Sequence, residues 1–467
     1  MNAKTEQLKL AALAIFALLS LCSLAAADNA STDAKDSGSK YILHIFGNAN
    51  MDGTIDQSDI AFVRDIIEGK TKANDLSDAN FDGKVDEADI IQINKIIDDT
   101  QSNLTILDGN GLPVTVNLPV KRAIVEHLDN SEMMMILQKV DAVAGVDLAM
   151  SKSTKEFPEL SKKTSVPGFS PVKDPDYEQA LSLKPDIILT FSNKTNEKTK
   201  NLPGVPVVFA GLYYPDLINP QASSFTDAVH KLGYIMDARE RADEYINWHI
   251  EKINDIKACT ENLSEKVKPT VLIASLPKDG DKSIATYAKI DTLSQMVSLA
   301  GGKTIVEGLP AYLQSNYRIE IDPEYAIQQN PDYIVFITIT LDPPIGYDSD
   351  NITGMKKAMD AFMSRPEYAN LTAVKNGRVY IINGNLRNDA TKGLIGAAYL
   401  SKIFHADKAE LDPEELHQEY LSRFLGLDYD LNSHGVFIYP PLVNGQGKLE
   451  GVPDSYCDLV AAGSAKA

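Results

Sequence analysis

The sequence predicts an α/β protein built as two lobes of α/β sandwich joined by one long helix, with a small helical unit in front. Three observations carry this. The stretch 237–263, DARERADEYINWHIEKINDIKACTENL, is an amphipathic helix pattern without Gly or Pro. A helix–turn–strand unit occurs twice, 146 residues apart, as DYEQALSLKPDIIL from Asp176 and DPEYAIQQNPDYIV from Asp322. Strand-like and helix-like segments alternate on both sides of the long helix, the pattern of parallel sheets covered by helices.

In the long helix Ala238, Ala242, Tyr245, Ile246, His249, Ile250, Ile253 and Ile256 recur mostly at steps of three and four and share one face. Asp237 is the expected N-cap, with Glu240 completing a capping box. Its 27 residues would span about 40 Å, the width of a small domain. A single α/β domain accommodates such a helix too; the repeat favours two lobes. In both copies an Asp caps a helix, Glu178 or Glu324 follows two residues later, and Pro-Asp then precedes an apolar strand.

The chain has 467 residues, room for two to four domains. Its 44% hydrophobic and 24% charged content is that of a globular chain. A net charge of −20 argues against nucleic acid and anionic membrane surfaces as partners and suits an exported protein that binds cations. Residues 1–27 read as a secretory signal peptide: Lys4 and Lys9 precede an apolar run, and Ala25, Ala26 and Ala27 offer a cleavage site before Asp28. The apolar run to Ala27 is 18 residues long, so a retained anchor is the alternative. Leu21 ahead of Cys22 lacks the small side chain that lipidation wants. Cleavage leaves Cys259 and Cys457, which either bond in an oxidising compartment or stay as separate thiols. Six N-x-S/T sequons are compatible with a secreted, extracytoplasmic or cell-surface-associated protein.

Residues 28–40 are small and polar, a flexible linker. A second repeat follows with a period of 30 residues: NANMDGTIDQSDI from Asn48 and DANFDGKVDEADI from Asp78. Each fits a calcium loop. Side-chain ligands are Asn48, Asn50 and Asp52 in the first, and Asp78, Asn80 and Asp82 in the second. Thr54 and Lys84 offer backbone carbonyls, Asp56 and Asp86 act through water, and Asp59 and Asp89 close the loops. An ordinary EF-hand closes with Glu; here both loops close with Asp, and one apolar-periodic helix follows each. Residues 41–103 therefore resemble a dockerin domain. That resemblance implies two calcium ions and a cohesin domain as partner. Gln57-Ser58 and Glu87-Ala88 stand where many dockerins carry Ser-Thr, so the two copies present different faces.

The first lobe is assigned to 104–236, the spine helix to 237–263 and the second lobe to 264–467. A hairpin turn at Asp108, Gly109, Asn110 and Gly111 opens the first lobe. Strand-like runs follow at 121–125, 187–189 and 207–209, then at 271–274, 333–337 and 379–382. With the opening hairpin, VKRAIV, the two Pro-Asp units, SLAGGKTIVEG and NGRVYIING, this segment resembles the iron-chelate and cobalamin class of substrate-binding proteins that feed ABC importers. The resemblance implies a class III periplasmic-binding-protein fold and no catalysis. It implies an iron(III)-siderophore or corrinoid held between the lobes, and an ABC permease dimer as partner. One surface glutamate per lobe, Glu178 and Glu324, would dock on that dimer; each also suits a helix N-terminus in its own right.

In open α/β sheets the ligand lies beyond the carboxyl ends of the strands. Those ends give His127, Ser192, Asn193, Tyr213 and Tyr214 in the first lobe, with Phe169 from another loop. In the second they give Tyr287, Tyr312, Tyr317, Arg318, Thr338 and Arg387. Aromatic faces suit a large flat or greasy chelate, and arginine suits carboxylates or a catecholate-type anion. No hydrolytic triad motif, P-loop, G-x-S-x-G or metal-type Cys/His spacing occurs. The alternatives are a secreted hydrolase carrying a dockerin, and a non-transporting adhesin or sensor using the same binding fold.

Overall fold

Short runs of Val, Ile, Leu and Ala, buried on both faces, build two parallel sheets. The computed structural model describes residues 41–166, 176–213, 215–278, 280–387, 389–406 and 411–457. The signal and linker expected over 1–40, Phe169 and Tyr214 lie outside the described residues.

The first sheet has five parallel strands in the order Thr164–Ser165, Val143–Val146, Ala123–Val125, Ile187–Thr190, Val207–Phe209. Its chain order reverses at Ala123–Val125, which opens a crevice at the carboxyl ends there. The second sheet runs Lys303–Thr304, Thr270–Ser275, Tyr333–Thr338, Val379–Asn383, Ile438–Tyr439, with only the last antiparallel. A separate ribbon pairs Ile284–Tyr287 with Arg318–Ile321. Period-two alternation sorts each strand between two cores. Val271 and Ile273 join the large central core, whereas Leu272 and Ala274 join a second core on the other face of the sheet.

The spine is the helix Arg239–Thr260. Ala242, Tyr245, Ile246, Trp248, His249, Ile253 and Ile256 are its buried face. Trp248 and Tyr245 pack on Phe424, with ring centroids 4.8 and 5.1 Å apart, which ties the spine to the C-terminal part of the chain. The expected capping box is not formed. Asp237 has φ +52°, and Ala238 occupies the cap with no side-chain bond. The preceding helix, Ser224–Ile235, approaches the spine closely at Gly233, where a Cβ would come within 2.7 Å of the Ala242 side chain.

Each loop of the N-terminal repeat feeds a helix, Gln57–Ile67 and Glu87–Ile97. Asp56 and Asp86 are their N-caps, with Asp59 and Asp89 completing capping boxes. The hairpin Asn103–Leu107 with Pro113–Asn117 follows as expected. The boundary placed at residue 103 is not a gap in packing. Ile60, Val63, Ile90, Ile93 and Ile96 share one core with Leu104, Ile106 and Val116. Tyr41 N donates to Gln221 O at 2.8 Å, and its ring stacks on His230 at 5.1 Å. His44 bonds Asp227 through its backbone at 2.8 Å and its ring at 3.1 Å. Arg239, at the start of the spine, pairs with Asp99.

A buried ion cluster fastens the helix Asp389–Phe404 to the first lobe. Lys392 pairs with both Glu132, on the helix His127–Ile136, and Glu156. Thr391 Oγ1 and Tyr420 OH also donate to Glu132, at 2.5 and 3.0 Å. All three charged groups are buried. Burial pushes the Glu156 carboxyl up to about 7 despite Lys392 beside it. Cys259 and Cys457 are both free thiols, so the disulfide considered for them is not formed.

Candidate ligand-binding cleft

Strand ends from both sheets bring one aromatic strip together. After Ala123–Val125 the chain turns sharply at His127, whose φ of +71° is held by a bond from its N–H to Asp147 Oδ2 at 2.6 Å. His127 Nδ1 lies 2.5 Å from Asp129 Oδ1, and the ring stacks on Phe191 at 3.8 Å. Phe191 follows directly on Ile187–Thr190 and meets Tyr213 edge-on at 5.1 Å. Tyr213 comes just beyond Val207–Phe209.

The second lobe completes the strip. Arg387 follows the turn after Val379–Asn383 and donates from Nη2 to Tyr213 OH at 3.0 Å and to Asp291 Oδ2 at 2.7 Å. The rings of Tyr213, Tyr287 and Tyr317 surround its guanidinium at 5.8, 5.6 and 5.2 Å, within cation–π range. Burial opposes the charge on Arg387, yet Asp291 and the three tyrosines hold its pKa above the ordinary value. Tyr287 OH bonds Ser275 Oγ at 2.8 Å, and burial pushes that phenol up. Beside this strip a cavity of about 600 Å³ opens at the carboxyl ends of the second sheet, with Ser275, Tyr287, Tyr317, Thr338, Ile339 and Arg387 in its wall.

The structure thus gathers His127, Tyr213, Tyr287, Tyr317, Thr338 and Arg387 along the cleft. Arg318 also lines the cavity but is paired with Glu320 at 3.0 Å. Ser192 and Asn193 follow Phe191 beyond the strand; the Asn193 carbonyl accepts from Asn110 at 3.2 Å, and neither residue lines the cavity. Tyr312 is a correction. Its side chain is buried in the second-lobe core, and it borders a different groove with Ile218, Ile290 and Leu313. The short helix Pro310–Gln314 turns it away from the strand ends. Sequence reasoning missed Phe191 and Asp291. Phe191 was legible as the first residue beyond a strand; Asp291 was hidden behind its role as N-cap of Thr292–Leu299.

Glu178 and Glu324 occupy the same place in the two repeated units. Each is the second residue of its helix, Tyr177–Ser182 or Pro323–Gln329, and each is exposed. The caps are equivalent too: Asp176 accepts from Gln179 N at 2.9 Å and Asp322 from Glu324 N at 2.7 Å.

The two N-terminal loops repeat one hydrogen-bond scheme. Asn50 N and Asp56 N donate to the two oxygens of Asp59 at 3.1 and 2.8 Å, and Asn80 N and Asp86 N do the same to Asp89. Asn48 and Asn50 accept from Asp52 N, as Asp78 and Asn80 accept from Asp82 N. Thr54 N and Lys84 N donate to Asp52 and Asp82. Asp59 and Asp89 are fully buried, and burial pushes the Asp59 carboxyl up to about 6. Gly83 has φ +91°, the turn the motif requires, whereas at Gly53 a Cβ would stand 3.2 Å from the Tyr41 ring, which would have to shift slightly. An all-oxygen donor set suits a hard cation. Among the described residues no three His, Cys, Asp or Glu side chains converge as a ready-made metal cluster.

Two α/β lobes, a long connecting helix and a cleft at the strand ends define a solute-binding protein. The Periplasmic binding protein family model matches residues 125–386, and the chain belongs to that family. It is 22% identical over 279 residues to the petrobactin-binding protein YclQ of Bacillus subtilis, covering 59% of this chain and 78% of that one. The TroA-like periplasmic binding protein FepB of Veillonella parvula shares the fold, with TM-score 0.57, 19% identity and coverage of 72% and 98% of the two chains. So does the molybdate-binding protein MolA of Haemophilus influenzae, with TM-score 0.54, 15% identity and coverage of 70% and 99%. Family members bind solutes without chemically changing them, so the protein is not an enzyme and the hydrolase alternative falls. No described helix is long and apolar enough to cross a membrane.

Proposed function

We propose that the protein captures a metal chelate, an iron(III)-siderophore or a corrinoid, between its lobes outside the cytoplasm and delivers it to an ABC permease. The observation that carries this reading is the strip His127–Phe191–Tyr213–Arg387, which spans both lobes beside the cavity. Aromatic faces and a fixed guanidinium recognise a broad, partly apolar ligand. Glu178 and Glu324 are the docking charges toward the permease. The N-terminal loops hold two calcium ions through Asn48, Asn50, Asp52, Thr54, Asp56 and Asp59, and through Asp78, Asn80, Asp82, Lys84, Asp86 and Asp89. The exposed parts of their helices meet a cohesin domain. The chelate assignment is tested by the visible absorption spectrum of the purified protein and by equilibrium dialysis with iron(III)-siderophores and a corrinoid. Retention of a coloured chelate, recovered unchanged, supports it; failure to bind any of them refutes it.

A further inference from the structure

The first-lobe side of the cleft stands on a buried ion pair. Glu126 follows the strand Ala123–Val125 and directly precedes His127, where the chain order of the first sheet reverses. Glu126 is fully buried, and Lys198, on the helix Thr195–Asn201, is 6% exposed. Lys198 Nζ donates to Glu126 Oε1 and, at 2.8 Å, to Thr190 Oγ1. The second carboxylate oxygen, Oε2, accepts from Thr190 Oγ1 at 2.8 Å and from the Phe191 N–H at 3.2 Å. The Glu126 N–H in turn donates to Leu189 O at 3.0 Å. One carboxylate therefore ties together the ends of two neighbouring strands. The residues on either side of it, His127 next in the chain and Phe191 bonded to it, are the pair whose rings stack at 3.8 Å.

We infer that Glu126 and Lys198 are positioning residues for solute binding: from beneath the cleft, the pair sets Phe191 against His127 and so shapes the first-lobe wall. A buried ion pair loses nearly as much in hydration as its attraction returns, so stability alone gives little reason to place one here. A carboxylate that accepts from one particular N–H, held in turn by a lysine, specifies direction and register. An apolar pair would fill the same space but leave the Phe191 N–H without its acceptor. Phe191 also meets Tyr213 edge-on, and Tyr213 accepts from Arg387, so a shift at Phe191 reaches the contact between the lobes. The inference rests on this cleft being the solute site, not on which solute it takes, and its test uses the protein without solute.

The test is nuclear magnetic resonance of the full chain, isotopically labelled at the histidine rings. The stack places the His127 ring over the face of Phe191, whose ring current moves the His127 Hε1 signal upfield. Phe191→Leu removes that shift and so identifies the signal. Glu126→Leu with Lys198→Met replaces the pair by apolar side chains of similar size. It should carry the His127 signal most of the way to its place in Phe191→Leu, and lower the melting temperature only by the loss of the hydrogen bonds to Glu126. Glu126→Gln with Lys198→Met removes both charges yet keeps an acceptor for the Phe191 N–H, and should leave the His127 signal near its original place. His249 and His417, buried elsewhere, should keep their signals in every variant. An unmoved His127 signal in the apolar variant overturns the inference, as does equal displacement in both double variants. Signals of His249 and His417 that move together with His127, or an apolar variant that does not fold, overturn it too, because the pair would then hold the fold rather than the wall.

Discussion

Arg387 Nη2 donates to Tyr213 OH at 3.0 Å and to Asp291 Oδ2 at 2.7 Å, so one guanidinium joins the two lobes while tied to its own. Its position is therefore set by the second lobe, and the Tyr213 phenol meets it from the first.

Tyr213→Phe removes that bond and keeps the ring. Ligand affinity should fall about three- to tenfold, the scale of one hydrogen bond, with little change in melting temperature. Tyr287→Ala should weaken binding further, because it also removes a wall of the cavity. Tyr245→Ala on the spine should do the reverse. It opens a hole beside Trp248 and Phe424, costing about 3–5 kcal/mol of stability, with affinity preserved in the molecules that fold. Titration and calorimetry on the same samples separate the two patterns. Equal affinity losses at all three positions would show that the tyrosines act through packing.

The calcium loops give a prediction about the whole chain. Because Ile60, Val63, Ile90 and Ile93 share a core with Leu104, Ile106 and Val116, calcium should raise the melting temperature of the entire protein, not of a detachable fragment. Each site at a hundredfold excess over its dissociation constant should add about 3 kcal/mol. Loop two has Asp78, Asp82, Asp86 and Asp89 against three carboxylates in loop one, so Asp89→Ala should remove the tighter site. Scanning calorimetry with calcium and with a chelator checks this. Identical melting curves would remove the calcium assignment.

A third prediction concerns pH. Burial holds Glu156 at about 7 in the folded chain, above its value of about 4.3 when unfolded. Between those values the folded state binds more protons than the unfolded one, so this group's contribution to stability falls as pH rises across that window. Glu156→Gln should remove the slope. His249 and His417, buried and lowered to about 3, work oppositely, losing stability as pH falls below about 6.5. The measurement is therefore the difference between the unaltered protein and the variant at pH 5 and pH 7.5. That difference should move by about 2 kcal/mol in the variant's favour at the higher pH. A difference independent of pH would mean that Glu156 stays ionised throughout.

Periodicity and repetition made much of the architecture legible. The two Pro-Asp units and the apolar strands appear where their spacing put them, because each depends on neighbours within a few residues. What stayed hidden depends on partners far along the chain. The pairing of Arg387 with Asp291 spans 96 residues, that of Lys392 with Glu156 spans 236, and that of His44 with Asp227 spans 183. Tyr312 reads from sequence like its cleft neighbour Tyr317; only the turn of Pro310–Gln314 sends it into the core. The spine cap failed for a local reason, since Asp237 adopts a left-handed backbone to link two packed helices.

The permease prediction tests the correspondence of the lobes directly. Glu178 and Glu324 are exposed at the second position of equivalent helices, and neither is part of the cavity wall. Reversing either to Lys should leave ligand affinity nearly unchanged. Loss of a favourable helix-end charge should cost well under about 1 kcal/mol in melting experiments. Charges at a docking rim act on encounter and register. Each reversal should therefore lower ATPase stimulation or uptake in reconstituted transporter by about tenfold, and the double reversal by more. Raising salt should shrink the gap between variant and unaltered protein, because exposed charges are screened beyond about 10 Å at 0.1 M. A fall in ligand affinity instead would place these helix ends at the cleft and reverse the orientation of both lobes. Unaltered uptake in the double variant would leave the glutamates with their helix-capping role alone.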